Sequence, residues 1–282
     1  MGKRERLRPG IAIKRKQAES ASVFVRIRKN LRWVDPFTYA DIFLEHIGQE
    51  ENKLVSWPVY LLTAFVSAWL IYFVLGLILG TRTPAVIVLS GSMEPTFYRG
   101  DIMVLIGANA ENLKAQEIEL PLALDDKNIY AYAKTYCKLA DREELIECKQ
   151  LIPYVKKGIL PVSKFETKQI CFPSIDKCIE LNKEGDVVVY TSDTLGIPII
   201  HRAVAKIYAK DGVFLLTKGD SVYNALIDQE AGLASKAVNI SKLDGKAIFM
   251  IPKLGYVKLI IMDDIPCILL HPFDFTRKCI LP

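Results

Sequence analysis

The sequence predicts a mainly β domain carried on one N-terminal transmembrane helix, with a mixed α/β segment inserted into the domain. Three observations point there: one long uncharged apolar run, short β-type runs set off by glycine after it, and a lysine-rich interruption after which β character resumes. At 282 residues there is room for one or two domains with a real core.

The leading segment, residues 1–56, holds twelve Lys/Arg against seven Asp/Glu, and eleven of the basic residues fall in the first 32. From residue 57 onward 25 basic residues balance 25 acidic ones. The net charge of +5 therefore belongs to the leading end and gives the main domain no basic face for nucleic acid. Up to Asn30 the segment reads as a mobile basic tip, better explained by topology-setting charge than by a nucleic-acid arm. In the stretch from Leu31 to His46, Phe37, Tyr39, Ile42, Phe43 and His46 recur at loosely helical spacing, and Asp35-Pro36 suits a helix start.

Residues 57–80, from Trp57 to Gly80, carry no charge over 24 positions. As a helix they would span about 36 Å, enough for the hydrocarbon core of a bilayer with some tilt. Trp57 and Tyr60 sit at one end, where amphipathic rings favour the headgroup level. A cleaved secretory peptide fits poorly, because the preceding region is too long and the apolar core exceeds the usual ~7–15 residues. Basic flanks stay on the cytoplasmic side, so residues 1–56 are expected inside and 81–282 outside, in the cell membrane or, in a eukaryote, the endoplasmic-reticulum membrane.

All six cysteines (Cys137, Cys148, Cys171, Cys178, Cys267, Cys279) follow this anchor, in a compartment that permits disulfides. None forms a CxxC pair, and three histidines without clustered ligands do not suggest zinc. Spacing leaves the pairing open: one or two disulfides within 137–178, or buried free thiols.

The domain is expected over residues 81–261. Strands are predicted at Val86–Leu89, Ile102–Ile106, Asp186–Tyr190, Ile199–Tyr208, Val213–Thr217, Lys246–Met250 and Tyr256–Ile261. Lys210-Asp211-Gly212 makes a hairpin turn between two of them. Gly100–Leu105 (GDIMVL) and Gly185–Tyr190 (GDVVVY) echo each other, too briefly to prove a repeat. Between the echoes, residues 107–181 read as an insert, with helices over Tyr130–Leu139 and Asp141–Lys149 and an extended Ile159–Phe165. In the tail, residues 262–282, Asp263, Asp264 and Pro266 make a second span a poor fit. The ending Cys279-Ile-Leu-Pro282 is discounted as a prenylation signal, its final proline being atypical and the end facing outside.

Chemistry concentrates where the apolar run ending at Leu89 meets Ser90-Gly-Ser92-Met93-Glu94-Pro95. A serine hydroxyl is a poor nucleophile until a base takes its proton, and imidazole suits that task at neutral pH. Of the three histidines, His46 is expected across the membrane, leaving His201 and His271 in the compartment of Ser90 and Ser92. A carboxylate would complete a hydrolytic set by fixing the imidazole tautomer. Asp220 follows the hairpin from His201, so the two strands should be neighbours, and Asp228 on the following loop is a second candidate. Each of these residues also admits a bland reading as a turn, a core-edge hydrogen bond or a solvated side chain.

The ordered blocks SGSMEPTFYRGD (Ser90–Asp101), EGDVVVY (Glu184–Tyr190), IIHR (Ile199–Arg202), TKGD (Thr217–Asp220) and GKAIFMIPKLGYV (Gly245–Val257), behind an upstream anchor, resemble the type I signal peptidases, specifically the archaeal and endoplasmic-reticulum branch that uses Ser and His. The blocks frame residues 86–261; 107–181 has little match of its own. The resemblance implies a signal-peptidase-like β-rich fold and a membrane-anchored serine endopeptidase. In it Ser92 is the nucleophile, Ser90 supports the oxyanion, Met93 packs beside the substrate cleft, Pro95 belongs to a rigid turn, His201 is the base and Arg202 a structural arginine. Asp220 matches the family's Gly-Asp aspartate, although Ser221 stands where asparagine is usual. The second family aspartate falls at the spacing of Leu226. A two-residue loop expansion makes Asp228 the triad acid and Asp220 a supporting carboxylate, with the two roles left open. Implied partners are signal-peptide-bearing precursors, the bilayer and the export translocon; no cofactor or metal is implied. The rival of a different class is a non-catalytic anchored binding module. A Ser-Lys protease using Lys206 or Lys218 lacks support from the blocks, and the related self-cleaving repressors do not need the 57–80 span.

Overall fold

The structure, a computed structural model, describes residues 35–261. The basic tip, His271, Cys267, Cys279 and the tail with its prenylation-like ending lie outside the described residues. Two compact units divide at Val74/Leu75.

In the first unit, α1 (Pro36–His46) starts as the sequence suggests. The Asp35 side chain accepts from the Phe37 N–H at 3.0 Å and Pro36 takes the first helical position, where a missing N–H costs nothing. The Tyr60 hydroxyl donates to Asp41 at 2.7 Å. α2 (Lys53–Leu79) runs 27 residues, with a mean hydropathy of 2.3 and no burial in its most apolar window. It is the one helix among the described residues long and apolar enough to cross a membrane. It begins four residues before the predicted Trp57, because the Asn52 side chain accepts from the Leu54 N–H at 3.1 Å and starts the helix there.

In the second unit the strands gather into two sheets. The larger contains β1 (Ala85–Ile87), β2 (Ile102–Ile106), β3 (Gln116–Glu119), β8 (Val187–Thr191), β9 (Pro198–Ala209), β10 (Gly212–Lys218), β11 (Val238–Asn239) and β12 (Leu243–Ile251). Its order is β1-β2-β12-β8-β9-β10-β11, and β3 lies parallel to β9. The smaller sheet is β5-β4-β6-β7, made of β4 (Lys134–Leu139), β5 (Leu145–Glu147), β6 (Phe165–Phe172) and β7 (Lys177–Glu180). Ile170, Phe172 and Ile179 of the smaller sheet share one buried core with Val204, Ile207, Phe214 and Leu216 of the larger.

Taken over all described residues the chain is mixed α/β, with one membrane-length helix and two β-sheets, which is consistent with the expected β-rich domain on a single helix. Other expectations are corrected locally. The helix predicted at Tyr130–Leu139 is a short 3-10 turn, Ile129–Ala131, followed by β4, in which Thr135 and Cys137 point inward between outward Lys134 and Tyr136. The alternation is period two, and lysine, a good helix former, hides it. The helix predicted at Asp141–Lys149 is instead strand β5 followed by α3 (Cys148–Lys156). Ile159–Phe165 is not extended; Val162–Lys164 forms a 3-10 turn. Tyr256–Ile261 is not a strand but opens with α5 (Tyr256–Leu259), because the Gly255 N–H bonds the Gly100 carbonyl at 2.8 Å and turns the chain away from the sheet.

Of the alternatives open for the cysteines, two disulfides form, Cys137–Cys148 and Cys171–Cys178, and no described cysteine is free. The first joins β4 to the start of α3; the second bridges neighbouring strands β6 and β7 at paired positions.

Candidate active site

β9 is flanked by β8 and β10, with Val188 opposite His201 on one side and Lys218 opposite Arg202 on the other. Consecutive residues of a strand face opposite ways, so His201 and Arg202 serve two different clusters.

His201 is 2% exposed, and its Nδ1 lies 2.7 Å and 2.8 Å from the two carboxylate oxygens of Asp228, itself 1% exposed. Asp228 opens α4 (Asp228–Ala231), reached through the loop that follows β10. Its Oδ2 also accepts from the Thr217 hydroxyl at 2.6 Å and the Tyr190 hydroxyl at 2.8 Å. Burial pushes the Asp228 carboxyl up, but its interactions with the His201 ring and these hydroxyls outweigh it and hold it below the ordinary value. The Tyr190 phenol is pushed up by burial and by the Asp228 charge, so it stays a donor. With Nδ1 bound to a carboxylate, the tautomer is fixed and Nε2 is left as the proton acceptor.

Arg202 forms a bidentate pair with Asp220: Nε to Oδ1 at 2.9 Å and Nη2 to Oδ2 at 2.6 Å, while Nη1 donates to the Gly185 carbonyl at 2.6 Å. Thr96 donates to Asp220 Oδ2 at 2.6 Å. Burial opposes ionisation of Asp220, and the hydrogen bonds from Arg202 and Thr96 win, lowering its pKa. Asp220 thus ties β9 to the turn that follows Ser92 and does not contact His201.

That turn is short and hydrogen-bonded, with the Thr96 and Phe97 N–H groups both donating to the Met93 carbonyl. Met93 is fully buried, and Pro95 is exposed after a cis peptide bond. The Ser92 carbonyl accepts from the Ser221 N–H at 3.0 Å and from Asn224 Nδ2 at 2.8 Å, docking the turn on the loop after β10. Gly219 makes this approach possible: a Cβ there would lie 1.9 Å from Asn224 Nδ2 and 2.6 Å from the Ser92 carbonyl oxygen. β10 ends at Lys218, opposite Arg202, and Gly219 follows it outside the ladder. The serine turn is joined to the strand that bears His201 through Thr96, Asp220 and Arg202.

The Ser92 hydroxyl is partly exposed and accepts from the Ser90 hydroxyl at 3.2 Å. Among the described residues no hydrogen bond joins Ser92 Oγ to His201 Nε2. Of the lysines, Lys206 bonds the Ala110 and Leu113 carbonyls and Glu117. Lys218 is lowered by burial, with Glu166, Asp220 and Asp228 opposing the shift, and its Nζ bonds the Gly219 carbonyl and Glu166. Among the described residues no group of three or more His, Cys, Asp or Glu side chains is arranged to hold a metal ion.

Thr217, Tyr190, Thr96 and Asn224 had no role in the sequence reading. Thr217 precedes the Lys-Gly-Asp run and Tyr190 ends the GDVVVY echo, so each had a positional signal without a chemical one.

No family model matches the chain. Among curated proteins, the signal peptidase complex catalytic subunit SEC11 of Scheffersomyces stipitis is 27% identical over 223 residues, 78% of this chain and 88% of that protein. The chain is homologous to SEC11. The same subunit of Clavispora lusitaniae is 26% identical over 221 residues, covering 78% and 87%, and that of Candida tropicalis 26% over 204, covering 71% and 79%.

Proposed function

We propose that the chain is a membrane-anchored serine endopeptidase that removes N-terminal signal peptides from exported proteins, with Ser92 as nucleophile, His201 as general base and Asp228 as the carboxylate that orients it. The observation that carries this reading is the buried pair His201 Nδ1–Asp228, 2.7 Å apart, on the strand whose next residue, Arg202, is tied through Asp220 and Thr96 to the turn of Ser92, in a homologue of SEC11. Asp220 supports the site through Arg202 and Thr96.

His201 Nε2 takes the Ser92 proton as Oγ attacks the scissile carbonyl, then gives it to the departing amine as the C–N bond breaks. Water, deprotonated by the same imidazole, attacks the acyl-enzyme and frees the signal peptide at Ser92 Oγ. Negative charge on the carbonyl oxygen is met by the Ser92 N–H, which donates to no described residue, and by the Ser90 hydroxyl; losing one such donor typically costs about 2.7–4 kcal/mol. Hydrogen bonds between nucleophile and base commonly tighten only when substrate is seated, which accommodates the Ser90–Ser92 contact of the free enzyme.

In this reading residues 1–56 are cytoplasmic and 57–80 cross the membrane. The protease occupies 81–261 outside, with 107–181 as its insert, and 262–282 form the tail. Substrates are extended precursors with small residues at −1 and −3, pairing with a strand edge beside Leu89 and Met93. The bilayer and the export translocon are its surroundings.

The test is cleavage of a signal-bearing precursor by the purified, detergent-solubilised protein beside its Ser92→Ala and His201→Ala variants. Processing by wild type and its loss in both folded variants are expected. Unchanged processing in either variant overturns the assignment in favour of a binding module or another site.

A further inference from the structure

The smaller sheet meets the loop after β10 and its two flanks, Lys218 before it and Glu230 of α4 after it, at three points. At the entry, Glu166 pairs with Lys218 at 3.4 Å. In the middle, the backbone N–H and the hydroxyl of Thr167 both donate to the Ala225 carbonyl, at 2.8 Å and 2.9 Å. At the exit, the Thr135 hydroxyl donates to Glu230 at 2.6 Å. Asp228 lies between the second and third points. The loop, residues 219–227, has no ladder of its own, so its conformation is fixed by contacts to other elements against the conformational entropy its backbone would otherwise recover. Its first half is held by Arg202 on Asp220 and by the Ser92 carbonyl on Ser221 and Asn224, and its second half, leading into Asp228, by these contacts.

Thr167 is the central one, and it is 1% exposed. Its hydroxyl oxygen lies 3.6 Å from the sulfur of Cys137 and 3.6 Å from that of Cys148. Both cysteines pack with Phe165, Leu151 and Ala225 in one buried cluster, and Leu226 rests against it. The disulfide is thus the floor on which Thr167 and the Ala225–Leu226 segment sit, three residues before Asp228.

We infer that the smaller sheet positions Asp228 for catalysis, with Thr167 as the positioning residue and the Cys137–Cys148 bond as its support, so that turnover depends on the oxidation state of that disulfide. This rests on the peptidase reading above. With a dithiol as reductant, two electrons break the S–S bond, the two thiol protons pass to the Cys137 and Cys148 sulfurs, and the reductant leaves as its own disulfide. The freed thiols no longer hold α3 against β4 at one separation, and the Thr167–Ala225 contact loosens. Cys171–Cys178, at the far end of β6, is outside this cluster.

The experiment uses the full detergent-solubilised chain, a signal-bearing precursor, and hydrogen exchange on the same samples. Thr167→Val, which removes only the hydroxyl contact, is expected to lower kcat about 2- to 10-fold with KM unchanged, and Thr167→Ser to recover it. Cys137→Ser/Cys148→Ser, which mimics the reduced state without a reductant having to reach buried sulfur, should lower kcat at least as much and deprotect the amides of residues 221–231. Cys171→Ser/Cys178→Ser should keep kcat within about twofold and leave those amides protected. Wild-type kcat in folded Thr167→Val, or equal losses in the two cysteine pairs, overturns the inference. If wild type itself fails to cleave, the peptidase reading falls. The exchange comparison then decides the positioning alone: selective deprotection by the first cysteine pair supports it, and no difference between the pairs overturns it.

Discussion

Two aspartates eight residues apart show how one sheet separates anchoring from chemistry. Asp220 and Asp228 are both buried, and both are held below the ordinary carboxylate range against the penalty of burial. Asp220 faces a guanidinium whose charge never changes, and its remaining bond goes to the turn after Ser92. Asp228 faces an imidazole, whose charge can change, and two hydroxyls that cannot compete for its proton. A fixed counter-charge makes a clamp, whereas a titratable partner makes a site that can move protons. Neighbouring residues of β9, His201 and Arg202, supply the two partners because a strand turns successive side chains to opposite faces.

The sharpest way to break this contrast is Asp228→Asn. It keeps size and burial but removes the charge that fixes the imidazole, and the expected loss is about 10⁴-fold in kcat for precursor cleavage, with the fold retained by circular dichroism. The same change at Asp220 should invert the pattern. Asp220→Asn leaves Arg202 buried without its counter-charge, so the main effect expected is a loss of about 3–5 kcal/mol in stability, read by denaturant unfolding. Were Asp220→Asn to abolish turnover without destabilising the protein, the two roles would have to be exchanged. Smaller effects belong to the hydroxyls on Asp228: Tyr190→Phe and Thr217→Val should each lower kcat about 2- to 10-fold without changing KM. The smallest is in acid. Both carboxylates have folded pKa values below their unfolded ones, so their stabilisation is complete above about pH 4 and is lost as pH falls through the folded values. Wild type should lose stability more steeply below pH 4 than Asp220→Asn, as measured by unfolding at a series of pH values.

The larger sheet was legible because its signals are local. Ile102–Ile106 reads as a strand and is one; Lys210-Asp211-Gly212 reads as the turn between β9 and β10 and is one. His201 and the candidates Asp220 and Asp228 were visible, but which carboxylate meets the imidazole depended on a loop whose path is set by Ser92, through Asn224 of the loop, and by Thr167, both distant in sequence. The smaller sheet was read poorly. In β4 the inward residues are Thr135 and Cys137, one polar and one locked in a disulfide, so apolar alternation carries little of the signal. Partners such as Thr217 and Tyr190 are ordinary strand residues until a carboxylate arrives from another element, and no spacing rule announces that.

Gly219 carries a last consequence. No side chain at all fits between the Ser92 carbonyl and Asn224, although nothing about that position takes part in proton transfer. A saturation library should therefore lose processing there as completely as at residue 92, for a steric reason rather than a chemical one. As they stand, the Ser92 turn and the loop after β10 close on each other across a residue that has only a hydrogen where any other would place a carbon.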